Sequence, residues 1–416
     1  MAFGLFEVLK QAARGNRGWQ PQWPSPEPKR AYDAVIVGGG GHGLAAAYYL
    51  AAQHNLRNIA VVERGWLGGG NTGRNTTIIR SNYLWEESAA LYDHALTLWH
   101  DLSQTLQYNV MFSPRGVLML AHSEHDVRSL QRHIHANRLA GIDNEWLTAA
   151  ETKAFCPPLS IDPGSLHPIL GAALQRRGGV ARHDAVAWGY ARAAAALGVD
   201  IIQNCPVTAI RRDASGAISG IETARGEIST RKVGLSVAGH TSTLLSLAGL
   251  TAPIESFTLQ ALVSEPVKPI LPCVVMSGRI HAYISQSDKG ELVIGASTDS
   301  AVSYTQRGAL HIPQHTLEAV CELFPGFRRL CMMRSWGGIV DVTPDRSPII
   351  GKTAVPGLYV NCGWGTGGFK ATPGAGHVLA WTIAKDEPHV LNAPFNFDRF
   401  RTGCLIDESA AAAVAH

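Results

Sequence analysis

Seven cysteines, at positions 156, 205, 273, 321, 331, 362 and 404, are odd in number and far apart, with no C-x-x-C pair among them. That spacing argues against a disulfide framework and against a Cys/His metal cluster, and leaves reduced thiols in a cytoplasmic protein as the expectation. Long apolar runs are missing too, so no transmembrane span is expected, and residues 1–30 show neither the apolar segment nor the cleavage site of a signal peptide. Nor is there an excess of one charge. Lys and Arg number 36 against 33 Asp and Glu, a net charge of +3, and the cations are scattered, which gives no basis for a nucleic-acid partner. No Ser-His-Asp set is evident.

What the chain does hold is length and glycine. Its 416 residues are long for one core and suggest two intimately joined domains, and 43 glycines with 46% hydrophobic residues describe an α/β protein with many tight turns.

The organising stretch is residues 32–63. An apolar run, Ala34-Val35-Ile36-Val37, reads as a buried strand and breaks into Gly38-Gly39-Gly40-Gly41-His42-Gly43. A helical segment over 44–53 follows, then a second apolar run, Ile59-Ala60-Val61-Val62, closing on Glu63. Strand, G-x-G-x-x-G, helix, strand and terminal acid are the parts of a dinucleotide βαβ unit. Gly38 permits the tight turn, Gly40 lets a pyrophosphate approach the backbone, and Gly43 lets helix and strand pack closely. The phosphates then meet free N–H groups at the positive end of a helix, worth roughly half a charge. Glu63 is placed to accept hydrogen bonds from a ribose hydroxyl.

Around this unit the pattern is mixed. Residues 1–30 form an arm that begins with an amphipathic turn or two and continues as an extended Trp- and Pro-rich stretch, expected to lie on a neighbouring subunit. Residues 65–80 have no regular period, and their Gly, Asn and Thr offer donors to a long ligand. Residues 87–102 have helical spacing. Residues 116–122 read as a strand, 125–140 and 148–155 as helices, 171–184 as a turn-rich stretch carrying Arg176, Arg177, Arg182 and His183, and 185–197 as a helix. Alternating strands from 254 to about 334 have the character of an antiparallel sheet inserted into the nucleotide domain. A last strand at Leu358-Tyr359-Val360 breaks into a second glycine-rich turn over 363–370 and enters a helix over 374–385, which suggests that both ends of the chain close on one ligand.

These features resemble the flavin amine oxidases of the D-amino-acid and sarcosine oxidase superfamily, and within it the β-subunit family of heterotetrameric sarcosine oxidases. The likeness covers nearly everything after Arg30. It is carried by residues 32–63, by 69–83, by Arg182-His183-Asp184 with Val186-Ala187-Trp188, by Trp336-Gly337-Gly338-Ile339-Val340-Asp341 and by 361–376. It implies an FAD-binding, Rossmann-like α/β domain of the glutathione-reductase type, made of 31–115, 160–253 and 335–400. The inserted antiparallel-sheet substrate domain would comprise 116–159 and 254–334, with a C-terminal tail over 401–416.

The resemblance further implies the site. FAD would touch Gly38, Gly40, Gly41 and Gly43, then Glu63 and Val207 at the adenosine end. Gly69, Gly70, Asn71, Arg74, Asn75, Thr76 and Ile78 would follow, with Gly365, Gly367, Gly368 and Lys370 on the second turn. Arg80 and Lys370 match two ligands for the substrate carboxylate, and His240, His281 and Tyr283 are candidate polar walls that taken singly read as structural. Taken alone, His183 is a helix N-terminal histidine; the resemblance implies that it carries FMN covalently, near arginines suited to a phosphate. The likeness also implies partner α, γ and δ subunits, with NAD and zinc expected only in those partners. The chemistry implied is oxidation of sarcosine, with O2 reduced to hydrogen peroxide and an imine passed to tetrahydrofolate.

Two departures are visible. Monomeric relatives tether FAD through a cysteine shortly before Thr343-Pro344-Asp345; the corresponding position here is Gly338, so FAD should be noncovalent. Their oxygen-activating lysine aligns with Val293, which moves oxygen reduction away from FAD. The rival readings are a secondary amino-acid dehydrogenase subunit for proline or an opine, and a flavin-binding scaffold without turnover; a plain NAD dehydrogenase would leave the second glycine turn without a role.

Overall fold

The computed structural model describes residues 4–15, 17 and 23–406. Its centre is a six-stranded sheet in the order Ile349–Lys352, Leu358–Cys362, Val233–Leu235, Ala34–Val37, Ile59–Val62, Asp200–Ile202. All neighbours run parallel except Ile349–Lys352, which is antiparallel to Leu358–Cys362. Strands covered on both faces read as unbroken apolar runs, and here the alternation is clean. Ala34, Ile36, Ile59 and Val61 enter one core with the helices Gly41–His54, Glu86–Thr105, His183–Ala196 and Gly368–Lys385. Val35, Val37, Ala60 and Val62 enter another, beneath the antiparallel meander Val207–Arg212, Ile218–Thr223 and Gly226–Ser229.

The helices Gly41–His54 and Gly368–Lys385 belong to opposite ends of the chain and lie against each other at small residues. A β-carbon on Gly376 would stand 2.4 Å from Ala45 Cβ. Gly376→Val is therefore expected to cost about 1–3 kcal/mol and to weaken FAD binding by separating the two glycine turns. Thermal unfolding and flavin titration check this; unchanged values in both would show that the close approach is not needed.

The second sheet has eight strands in the order Met332–Val342, Glu255–Pro266, Glu291–Val302, Ala282–Gln286, Val274–Ser277, Val117–Ala121, Gly171–Gln175, Glu145–Thr148. Only the pairing of Val274–Ser277 with Val117–Ala121 is parallel. One face packs Leu118, Leu174, Val275, Ile284 and Ile294 beneath the helix His311–Leu323. The antiparallel insertion is thus present, with different limits from those drawn on sequence. Gly171–Gln175, placed with the nucleotide domain and inside a turn-rich stretch, is a fully buried strand of this sheet. Met332–Val342 likewise runs on past the boundary at 334. Both strands are held by partners distant in sequence, so no break in period or composition marks these limits.

The helix Leu5–Ala13 buries none of its residues. Trp23, however, packs on the chain's own core, Arg225 pairs with Glu27, and Lys29 pairs with Asp200. From residue 23 onward the arm makes these contacts with its own domain; Trp19 lies outside the described residues. At the other end, the tail reaches Ile406, which is buried, and 407–416 lie outside the described residues.

Candidate active site

A cavity of about 450 Å³ runs between the two sheets, within the range of small-molecule sites. Its first wall is the βαβ turn. Gly38 sits at φ +110°, and a β-carbon there would lie 2.3 Å from the Ser236 carbonyl oxygen. Gly40 caps the helix Gly41–His54 with no side-chain cap, and no acid stands in the first turn. Backbone N–H groups and the positive helix end therefore face the space. Gly41 N–H donates to Thr72 Oγ1 at 2.9 Å, tying the turn to the loop after Glu63. Glu63 lines the cavity with Val207, and its carboxylate accepts from the N–H groups of Gly39 and Gly65 at 2.8 Å each.

The second wall is the late glycine turn. Its helix begins at Gly368, six residues before the predicted start, so the sequence reading placed Lys370 in a loop when it occupies a first helical turn. Gly363 and Gly365 take φ values of +73° and +50°, which favour glycine. Asp341, 2% exposed, holds the turn: its carboxylate accepts from Gly363 N–H at 2.5 Å and its carbonyl from Gly365 N–H at 2.8 Å. Burial pushes the Asp341 carboxyl above the usual range.

A clamp joins the two turns. His42 Nε2 lies 2.7 Å from the Gly368 carbonyl oxygen and must donate to it, which leaves Nδ1 to accept from the Asn361 amide at 3.1 Å. Asn361 Oδ1 in turn accepts from Trp364 Nε1 at 2.6 Å. The loop between the walls is pinned from the inserted sheet: Ile339 N–H donates to Asn71 Oδ1 at 3.0 Å, and Trp336 Nε1 donates to the Arg74 carbonyl at 2.7 Å. Neither Asn361, His42 nor Asp341 was picked out individually from the sequence. Apart from Trp364, three positions from Asn361, their partners are 22 to 326 positions away, and no local pattern marks them.

Arg80 and Lys370, 3% and 8% exposed, line the same cavity. Arg80 follows the short strand Ile78–Ile79, donates to Asn82 Oδ1 at 3.0 Å and stacks 4.3 Å from the centre of the Tyr83 ring. Lys370 Nζ donates to the Thr366 carbonyl oxygen at 3.1 Å, and Trp99 Nε1 donates to the Lys370 carbonyl at 2.8 Å. Burial, reinforced by the Arg80 charge, pulls the Lys370 amine well below the ordinary lysine range. Tyr283 and His240 line the same cavity; burial pushes the Tyr283 hydroxyl up to about 12.

Most residues expected at the cofactor line this space: Gly38, Gly40, Gly41, Glu63, Gly70, Asn71, Arg74, Asn75, Thr76, Ile78, Val207, Gly365, Gly368 and Lys370. Gly43, Gly69 and Gly367 do not; each is tightly packed instead, a β-carbon on Gly43 falling 2.0 Å from the Gly38 carbonyl oxygen. Gly338 lines the cavity, whereas Val293, expected at a flavin-facing position, is not among the lining residues. The glycine cradle, uncapped helix and Glu63 fit an extended dinucleotide, and the buried Arg80 and Lys370 line the same space.

His183 lies outside the cavity, at the start of the helix His183–Ala196. The arginines near it in sequence are engaged by carboxylates: Arg176 by Glu145, Arg177 by Asp93 and Asp143, Arg182 by Asp184 and Asp288. They are therefore not the free phosphate-binding charges that the sequence suggested. A backbone link does connect this segment to the cavity. Thr77, a β-branched residue at φ +67°, lines the space and accepts from Ala181 N–H at 3.2 Å. Such a conformation costs about 1–3 kcal/mol and persists only where its surroundings enforce it.

Comparison with known proteins agrees with this geometry. The profile of the FAD dependent oxidoreductase family matches residues 33–382. A sarcosine oxidase subunit beta of Arthrobacter is 57% identical over 95% of this chain and 97% of its own, and that of Rhodobacter capsulatus is 54% identical over 100% and 99%. Among solved structures, an L-proline dehydrogenase from P. horikoshii superposes with a TM-score of 0.84 at 24% identity, covering 90% of this chain and 99% of that one, a likeness of fold. From cradle to paired cations, and over nearly its whole length, the chain belongs to the FAD-dependent oxidoreductases, in the group of the sarcosine oxidase β subunits.

Proposed function

We propose that this chain oxidises sarcosine as one subunit of a larger oxidase. The observation that carries the reading is that Arg80 and Lys370, both buried, line the same cavity as the glycine cradle and Glu63, with the Arg80 charge acting on Lys370. A small amino acid brings a carboxylate, and a desolvated carboxylate requires cations. Arg80 offers a planar fork that fixes the carboxylate's angle, and Lys370 offers a compact amine. FAD, bound noncovalently along the glycine cradle, supplies the acceptor for hydride from a carbon next to nitrogen. The chain's own residues hold and orient the substrate against it, and Tyr283 with His240 completes the wall.

The reading extends to FMN carried covalently on His183 and to O2 as final acceptor, giving hydrogen peroxide. It extends also to an imine taken up by tetrahydrofolate in a partner subunit, yielding glycine and 5,10-methylenetetrahydrofolate. The partners would be α, γ and δ subunits, with NAD and zinc outside this chain. In support, His183 stands at a helix N-terminus beside the Lys289 charge, and burial lowers its pKa, which keeps the imidazole neutral and nucleophilic near pH 7.

Anaerobic sarcosine should bleach the visible flavin band rapidly, and proline in its place should not. Acid precipitation should leave one flavin in the pellet and release the other, and His183→Ala should lose the pellet flavin alone. A colourless complex, or one whose flavin sarcosine leaves oxidised, ends this reading.

A further inference from the structure

Sarcosine reaches a protein near neutral pH as a zwitterion, its nitrogen a charged alkylammonium of the same class as lysine's, with a pKa of about 10.4. Oxidation next to nitrogen requires the nitrogen lone pair, so a proton must leave first. The charge acting on Lys370 is that of Arg80, from the segment after Ile78–Ile79; Arg80 in turn lies over the Tyr83 ring, which stacks on Tyr92 at 3.9 Å. His42 lies behind the first turn, where its Nε2 proton is committed to the Gly368 carbonyl. Asp341 is spent on the second turn, and Tyr283 and His240 lie on the remaining walls.

Burial, a neighbouring charge and the helix position all favour an uncharged Lys370 before substrate arrives. Its side chain is only 8% exposed. The Arg80 guanidinium is the charge acting on it. It also occupies the first turn of the helix Gly368–Lys385, where the backbone dipole disfavours a cation, and no acid in that turn offsets this. The lowered amine pKa agrees with all three.

Resting on the proposed function, we propose that Lys370 is the group that removes the ammonium proton of the bound amino acid, and that the charge it thereby gains completes the clamp on the carboxylate. In the balanced step the N–H bond of the substrate ammonium breaks and an N–H bond forms on Lys370. The free amine of the substrate is left with its lone pair, and Lys370 becomes an ammonium beside the carboxylate. When the C–H bond then breaks, the hydride leaves to the flavin and the lone pair forms the C=N bond. The Lys370 proton is released as the product departs. The arrangement also explains how two basic side chains share one dry pocket: only Arg80 is charged while the pocket waits.

The test uses the intact flavin-loaded complex and methoxyacetate, an ether analogue of sarcosine that carries the carboxylate but no ammonium proton. Its binding, followed by the flavin spectrum and by calorimetry in buffers of different ionisation enthalpy at pH 7–8, should take up about one proton per site, because Lys370 must charge to meet the carboxylate. Binding without proton uptake overturns the inference, and this measurement needs no variant. In Lys370→Arg the permanently charged guanidinium cannot accept the proton, so methoxyacetate uptake should vanish. Anaerobic flavin reduction by sarcosine should then fall about tenfold per pH unit below the substrate's own pKa. A pH profile of flavin reduction unchanged from that of the parent also overturns it. Proton uptake with methoxyacetate but no reduction by sarcosine supports the protonation and counts against sarcosine as the substrate.

Discussion

Arg80→Ala will lower kcat/KM for sarcosine by roughly 30- to 5,000-fold, the equivalent of about 2–5 kcal/mol, while the flavin spectrum stays that of the parent. The argument is one of desolvation. Arg80 is 3% exposed, and water cannot replace the guanidinium that its truncation removes. The substrate carboxylate would then face Lys370 alone, in a pocket built for a planar fork. Arg80→Lys should fall between the two, because it restores charge without the bidentate geometry or the stacking on Tyr83. The control is FAD content: Asn71, Thr72 and Glu63 are bonded to backbone elsewhere and do not depend on Arg80. Unchanged kcat/KM in Arg80→Ala would remove this residue from the substrate site.

Arg399→Met should be the most destabilising single change, costing about 3–5 kcal/mol and lowering the thermal midpoint by several degrees. The Arg399–Asp345 pair is the most enclosed ion pair among the described residues, each side chain 1% exposed. Arg399 Nε and Nη2 donate to the two Asp345 oxygens at 2.8 and 3.0 Å, and Nη2 also donates to the Ser347 carbonyl at 2.7 Å. Asp345 further accepts from Ile406 N–H at 3.1 Å, so the pair fixes the C-terminal segment. Removing the cation strands a buried carboxylate that begins four residues after Asp341, and the second glycine turn should loosen with it. Arg399→Met combined with Asp345→Leu should recover part of the loss, since the stranded charge is then absent. Equal stability of parent and Arg399→Met, by thermal and denaturant unfolding, would contradict this.

The first glycine turn was legible because every signal for it is local. Four apolar residues, a glycine run, a small-residue helix and a second apolar strand ending in an acid lie within 32–63, and the strands Ala34–Val37 and Ile59–Val62 formed where the pattern put them. The helix Glu86–Thr105 was equally plain from its period. The strand Gly171–Gln175 was not, since it opens on a glycine and runs straight into Arg176-Arg177-Gly178-Gly179, and the neighbours that make it a strand are Val117–Ala121 and Glu145–Thr148. The early start of the helix at Gly368 escaped notice for a similar reason. Glycine and Pro373 disfavour a helix locally, and the contact with the helix Gly41–His54 overrides that preference.

By itself, then, the sequence determined the kind of cofactor cradle, because that rests on residue type and short spacing, and the family, through motifs spread over the chain; Arg80 and Lys370 came only with the resemblance, since either alone reads as a surface cation. Only the tertiary structure decided that Lys370 is buried in a helical first turn against Arg80, that His42 clamps one glycine turn to the other, and that the arginines around His183 are already engaged. Charge state and pairing depend on which distant side chains a fold brings within a few ångströms, and burial changes the behaviour of an amine more than its identity does.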